Sequence, residues 1–281
     1  MGEGAAAGRT LDLGHAALVL VGHGSARNPH SGTPTRRLAR AMADLGVFAE
    51  VAACFWKESP FAREALALVR SPEVYVVPNF AGEGYFTREV IPREMNLTGP
   101  LTEHSGPGGR RLIHYTPPVG AHPDIAGLVL RRADAVAAAH RIDRASACLL
   151  LVGHGSRKGY GSGETTEALA VTLRASGAFA QVCTAFLEQD PHVADWPGLT
   201  GAAEVIVAPM LIADGLHGSE DLPPLFGLTT ADLAAPGTEV AVGPAIAHGR
   251  RVWYCRGIGS DPDIARIILD HVTNQIQKSW E

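Results

Sequence analysis

The tetrapeptide GHGS occurs twice, at Gly22–Ser25 and Gly153–Ser156, each time directly after a short apolar run. Glycine lets the backbone turn tightly and approach a ligand closely. A histidine held between two glycines is thereby presented as a base or a metal ligand. A second histidine, His217, lies in GLHGSEDLP, and Glu188 ends the segment TAFLE. Two imidazoles and a carboxylate can hold a borderline divalent cation such as cobalt, nickel or iron(II). The same groups can accept protons, because imidazole titrates near neutral pH. A resident structural metal saturates its ligands, whereas a delivery site keeps positions open. The composition of His154, Glu188 and His217 fits both.

Other chemistries fit less well. Gly153 and Gly155 open a dinucleotide-binding fingerprint, but Lys158 stands where its third glycine belongs, and Arg27 stands there in the first copy. Neither Ser25 nor Ser156 sits in the GxSxG elbow of a nucleophilic serine. A lone GHG would read best as a structural turn; the second histidine in register favours chemistry.

These residues sit in a duplicated chain. AALVLVGHGSARNPHSGTPTRRLARAMADLG is answered by ACLLLVGHGSRKGYGSGETTEALAVTLRASG, and His23 and His154 differ by 154 − 23 = 131 positions. The same offset carries Phe55 onto Phe186, Pro78 onto Pro209, Gly84 onto Gly215 and Pro92 onto Pro223, and GAHPDIAGLVL later matches GSDPDIARIIL. The copies differ where chemistry is at stake. His217 falls against Phe86, Asp221 against Val90 and Glu188 against Lys57, so only the second copy carries the full set.

Each copy alternates strands and helices. ALVLV and CLLLV are continuous apolar runs ending in glycine, as expected of central strands covered on both faces. Helices are predicted over Thr33–Leu45, Glu164–Ala175, Pro123–Ala139 and Pro262–Gln277, and further strands over Ala49–Cys54, Val74–Val77, Arg111–Tyr115, Ala180–Ala185, Glu204–Ala208 and Arg251–Cys255. The Gly/Pro-rich stretch Gly99–Arg111 is expected to be a loop. The fold class that follows is α/β, with two tandem doubly wound domains, 1–143 and 144–281, of mostly parallel sheet facing a central cleft. Strand ends are where such sheets bind ligands, so His154, Glu188 and His217 can converge at one edge.

Bulk composition narrows the partners. With 24 basic against 29 acidic residues, the net charge of −5 supplies no field for nucleic acid. The four cysteines form no CxxC pair, which suits a reducing cytoplasm. The early acidic residue and the short run Ala16–Val21 do not make a signal peptide, and no stretch approaches a bilayer span. A soluble cytoplasmic protein is expected.

The chain resembles the class II tetrapyrrole chelatases, specifically the sirohydrochlorin cobaltochelatases. The resemblance rests on LVGHGS with its helix, the AFLE segment ending at Glu188, the pattern of Gly215, His217, Asp221 and Pro223, and GSDPDIA. It implies a pair of flavodoxin-like domains around a cleft for the macrocycle, with His154 and His217 as the family's two histidines and Glu188 as its glutamate. These three are then both catalytic and metal-holding, and Co²⁺ or Fe²⁺ passes through as substrate with no permanently bound cofactor. Gly153, Gly155, Ser156 and Arg157, with His23, Gly24 and Ser25 across the cleft, are expected to contact the tetrapyrrole. Lys158, Arg27 and Arg88 are further candidates for its carboxylates. The first copy, keeping only His23, reads as a partner wall with a degenerate site. A fused duplication makes a monomer sufficient, and no P-loop is present for ATP. Iron insertion, a non-catalytic tetrapyrrole or metal carrier, and a dinucleotide-dependent oxidoreductase are the alternatives.

Overall fold

Every residue of the first strand, β1 (Ala16–Gly22), is buried, because alternate side chains serve two different cores. Leu18 and Leu20 face one, and Val19 and Val21 face the other. In the computed structural model, residues 13–26, 31–106, 109–156, 161, 163–212, 217–234 and 240–278 are described. After β1 come α1 (Thr33–Asp44), β2 (Glu50–Phe55), β3 (Glu73–Pro78), α2 (Ile91–Glu94), β4 (Leu101–Gly106), β5 (Gly109–Tyr115) and α3 (Ile125–His140). The second half contributes β6 (Cys148–Gly153), α4 (Glu164–Ser176), β7 (Gln181–Phe186), β8 (Glu204–Pro209), α5 (Thr230–Ala234), β9 (Ala241–Ala247), β10 (Arg250–Cys255) and α6 (Ile264–Lys278).

Each half forms one five-stranded sheet, ordered β2-β1-β3-β5-β4 and β7-β6-β8-β10-β9. The first four strands of each order are parallel, and β4 and β9 run antiparallel at the edge. Chain order reverses direction around β1 and β6, so each sheet has its switch point at the carboxyl end of the strand that leads into GHGS.

The stretch Gly99–Arg111, expected to be a loop, is in fact largely the hairpin β4–β5. Thr102 points inward and is buried, while Leu101 and Glu103 on either side are exposed. An edge strand with so little apolar alternation leaves no period-two signal. Gly109, at φ +95°, opens the returning strand in a conformation that favours glycine.

The long terminal helices are exchanged between the halves. α3 belongs in sequence to the first half but packs on α4, β8 and β10. α6 belongs to the second and packs on α1 and β3. Arg132 of α3 donates to the Gly257 and Arg256 carbonyls at 3.1 and 2.9 Å. Arg266 of α6 answers with Asp124 at 2.7 Å. One hydrophobic core therefore runs through both halves, from Leu18 and Leu20 through Leu128 and Ile268 to Leu149 and Leu151. The helices enter alike: His122 Nδ1 accepts the Asp124 N–H at 3.2 Å, and Asp261 Oδ1 accepts the Asp263 N–H at 3.0 Å. Among the described residues, no helix is long and apolar enough to cross a membrane.

Candidate active site

Both GHG turns owe their shape to the strand and helix around them. A Cβ on Gly153 would lie 2.7 Å from Thr166 Oγ1 of α4 and 3.0 Å from the Phe186 ring. At Gly22 the same clash would involve Thr35 and Phe55. Gly24 and Gly155 adopt φ +65° and +74°, a left-handed conformation that side chains resist. The intervening histidine is turned outward: His23 and His154 are exposed between buried glycines. Ser25 N–H donates to Glu58 Oε2 at 3.2 Å, and Ser156 N–H donates to Gln189 Oε1 at 3.1 Å. Those amides are thus engaged by the chain itself.

In the second half, His154 Nδ1–H donates to the Gly155 carbonyl at 3.2 Å, since a carbonyl can only accept. In the neutral ring Nε2 is then the acceptor. His217 opens a π-helical turn, His217–Asp221, closed by Leu222 N–H to the His217 carbonyl at 2.9 Å. Such turns collect at functional sites because the extra residue re-aims a side chain. The wider turn sets Asp221 beside its own first residue, and His217 Nδ1–H donates to Asp221 Oδ2 at 2.7 Å. The two imidazole rings meet edge to face, with centroids 5.2 Å apart at 78°. Two basic Nε2 atoms from separate elements thus share one exposed place.

Glu188 is adjacent but not gathered in. Its backbone N–H donates to the His154 carbonyl at 2.9 Å and its side chain is exposed. Among the described residues, no three of His, Cys, Asp or Glu come together as a metal-holding group. Arg157, Lys158, Arg27 and Gly215 lie outside the described residues. Arg88 is taken by Glu83, with contacts of 3.0 and 2.6 Å.

The first half repeats the geometry with different chemistry. His23 Nδ1–H donates to the Gly24 carbonyl at 2.8 Å, and a π-helical turn begins at Phe86. Around His23 stand Phe86, Trp56 and Phe80, at centroid distances of 5.0, 5.3 and 6.4 Å. Partial desolvation against the protein lowers the His23 pKa although its outer edge is exposed, the Gly24 carbonyl opposes that, and the charges of Lys57 and His154 add to the lowering. The halves also touch directly, where Glu83 N–H donates to Thr165 Oγ1 at 3.1 Å.

The CbiX family model matches the chain twice, over residues 17–136 and 148–275. The chain belongs to the CbiX family. A Halobacterium salinarum protein named probable sirohydrochlorin cobaltochelatase is 34% identical over 271 residues, 92% of this chain and 91% of its own length. The sirohydrochlorin cobaltochelatase of Methanothermobacter thermautotrophicus is 31% identical over 136 residues, 46% of this chain and 92% of its own. Among solved structures, a multi-domain Deinococcus radiodurans protein, described as similar to chelatases with two additional novel domains, superposes with a TM-score of 0.71 at 28% identity. That match covers 91% of this chain and 54% of the other, so the chain spans about half of that protein. SirB from Bacillus subtilis shares the fold, with a TM-score of 0.66 at 17% identity over 92% of this chain and 95% of its own.

Two features of this candidate site were not assigned from sequence. The Asp221–His217 bond has an i,i+4 signal, since residues so spaced on a helical turn are neighbours. The rings of Trp56, Phe80 and Phe86 come from three separate segments, and only the fold unites them.

Proposed function

We infer that this CbiX chain is a sirohydrochlorin cobaltochelatase, exchanging two pyrrole N–H protons for one Co²⁺ ion. The observation that carries the reading is the facing pair His154 and His217, both with Nδ1–H committed and Nε2 left basic. Insertion needs acceptors for two protons and a weak hold on a metal that must then be released. Neutral imidazole serves both ends, and a pair without a closed third ligand holds a cation loosely. Asp221 fixes the His217 tautomer and ring orientation, as carboxylates behind metal-binding histidines do. Glu188, on the strand-end loop beside His154, is the carboxylate available to an arriving cation.

The metal is substrate throughout, and the reaction as written needs no nucleotide and no resident cofactor. One chain supplies both walls, so a monomer working in the cytoplasm suffices. The reading is tested by anaerobic conversion of sirohydrochlorin, followed by absorbance, with Co²⁺ or Fe²⁺ supplied in turn. Wild-type protein should convert it fastest with Co²⁺. His154→Ala and His217→Ala should each lose about 10²–10⁴-fold, the range for a removed acid–base group. Turnover that survives in both variants would remove the pair from the chemistry.

A further inference from the structure

We propose that the first half is the macrocycle-holding half, with Trp56, Phe80 and Phe86 taking a face of the tetrapyrrole ring and Lys57 taking one of its peripheral carboxylates. The proposal rests on the chelatase reading and deepens it by dividing substrate recognition between the two copies.

The first argument is exposure. Aromatic side chains that fill the cores of this protein are wholly buried: Trp196, Trp253, Phe55, Phe186 and Phe226 are each at most 1% exposed. Trp56, Phe80 and Phe86 remain only half-buried, at a sheet edge where ligands bind. They form one cluster, with Trp56 and Phe86 centroids 4.6 Å apart and the Phe80 and Phe86 rings within 20° of parallel at 6.3 Å. Partly exposed aromatic area next to a reaction site is suited to a flat, π-rich ligand.

The second argument is replacement. Shifted by 131 positions, Trp56 becomes Leu187, Phe80 becomes Leu211 and Phe86 becomes His217. All three aromatics are thus confined to the copy without the histidine pair. Lys57 becomes Glu188 by the same shift. A cation there repels an arriving metal ion and attracts carboxylate, which is the opposite of what Glu188 does. The Lys57 ammonium already lies over the Trp56 ring, 4.5 Å from its centroid, so charge and stacking surface form one patch. That patch surrounds His23, the first half's counterpart of His154, at the carboxyl end of β1.

The test is an anaerobic absorbance titration of metal-free sirohydrochlorin into wild type, Trp56→Leu, Phe86→Leu, Lys57→Gln and His154→Ala, with circular dichroism confirming each fold. Co²⁺ binding is measured in parallel by calorimetry. Trp56→Leu and Phe86→Leu should each raise the macrocycle Kd about tenfold, the scale of one lost aromatic contact. Lys57→Gln should raise it less and flatten its salt dependence. Co²⁺ affinity should stay constant in all three, whereas His154→Ala should lose Co²⁺ and keep the macrocycle. Unchanged macrocycle affinity in the three first-half variants, with the wild type still converting substrate, would overturn the platform and leave the chelatase standing. A wild type that neither binds nor converts sirohydrochlorin would overturn the chelatase reading and the platform with it.

Discussion

The two halves share a backbone plan and part company in the side chains mounted on it. Both carry GHG at a switch point, a left-handed second glycine, a latch from the β2 or β7 loop, and a π-helical turn 131 residues apart. Onto that plan the second half places His217, Asp221 and Glu188, and the first places Phe86, Val90 and Lys57. Duplication preserved the frame because the glycines, the buried threonines and the strand ends hold one another. Most of the residues that diverged face out from the frame, while Val90, the counterpart of Asp221, is buried. One frame thus carries a pair of imidazoles in one copy and an aromatic, cationic cluster in the other.

The contrast can be broken at several levels. Asp221→Asn leaves a hydrogen bond possible but removes the charge behind His217. Activity and Co²⁺ affinity should fall together by about 10–100-fold, the usual cost of losing such a partner. Steady-state assays and calorimetry check this, and an unaffected variant would reduce Asp221 to a surface acid. Gly155→Ala and Gly24→Ala should each cost about 1–2 kcal/mol of stability from the left-handed backbone. In each, the new Cβ would also press on Gln189 or Glu58, within 2.7 or 2.6 Å. Chemical denaturation should give similar losses in the two halves. A large loss in only one would show that the frames are not equivalent.

The smallest effect concerns His23, held below its ordinary pKa of 6.5 chiefly by burial among its aromatic neighbours. The unfolded chain therefore binds the proton more readily, and stability falls as pH drops through 6.5 toward the folded value. Melting temperatures measured from pH 7.5 to 5.5 should decline less in His23→Leu than in the wild type. Identical slopes would mean that His23 is not desolvated.

Sequence carried the duplication, the central strands and the long helices, because continuous apolar runs and repeated motifs are local signals. It also placed His154 and His217 on strand-end loops, and the structure brings their rings together. It did not carry β4, whose polar edge has little period to detect, nor the bond from Asp221 to His217. Glu188 aligned persuasively, yet its side chain stands apart from the two rings, since a position at a strand end fixes a Cα and leaves a long side chain its rotamers. The exchange of α3 and α6 was invisible for a different reason. A helix that packs on its own sheet and one that packs on its twin's have the same amphipathic pattern.

That exchange bears on how a large flat substrate gets in and out. Two lobes joined by a simple linker could swing apart like jaws. Here each lobe is clasped by the other's longest helix, and a single core runs through the seam. Prising the lobes open would expose that core, so the vice is fixed. A substrate that enters without separation of the lobes must pass between the loops at the carboxyl ends of the strands.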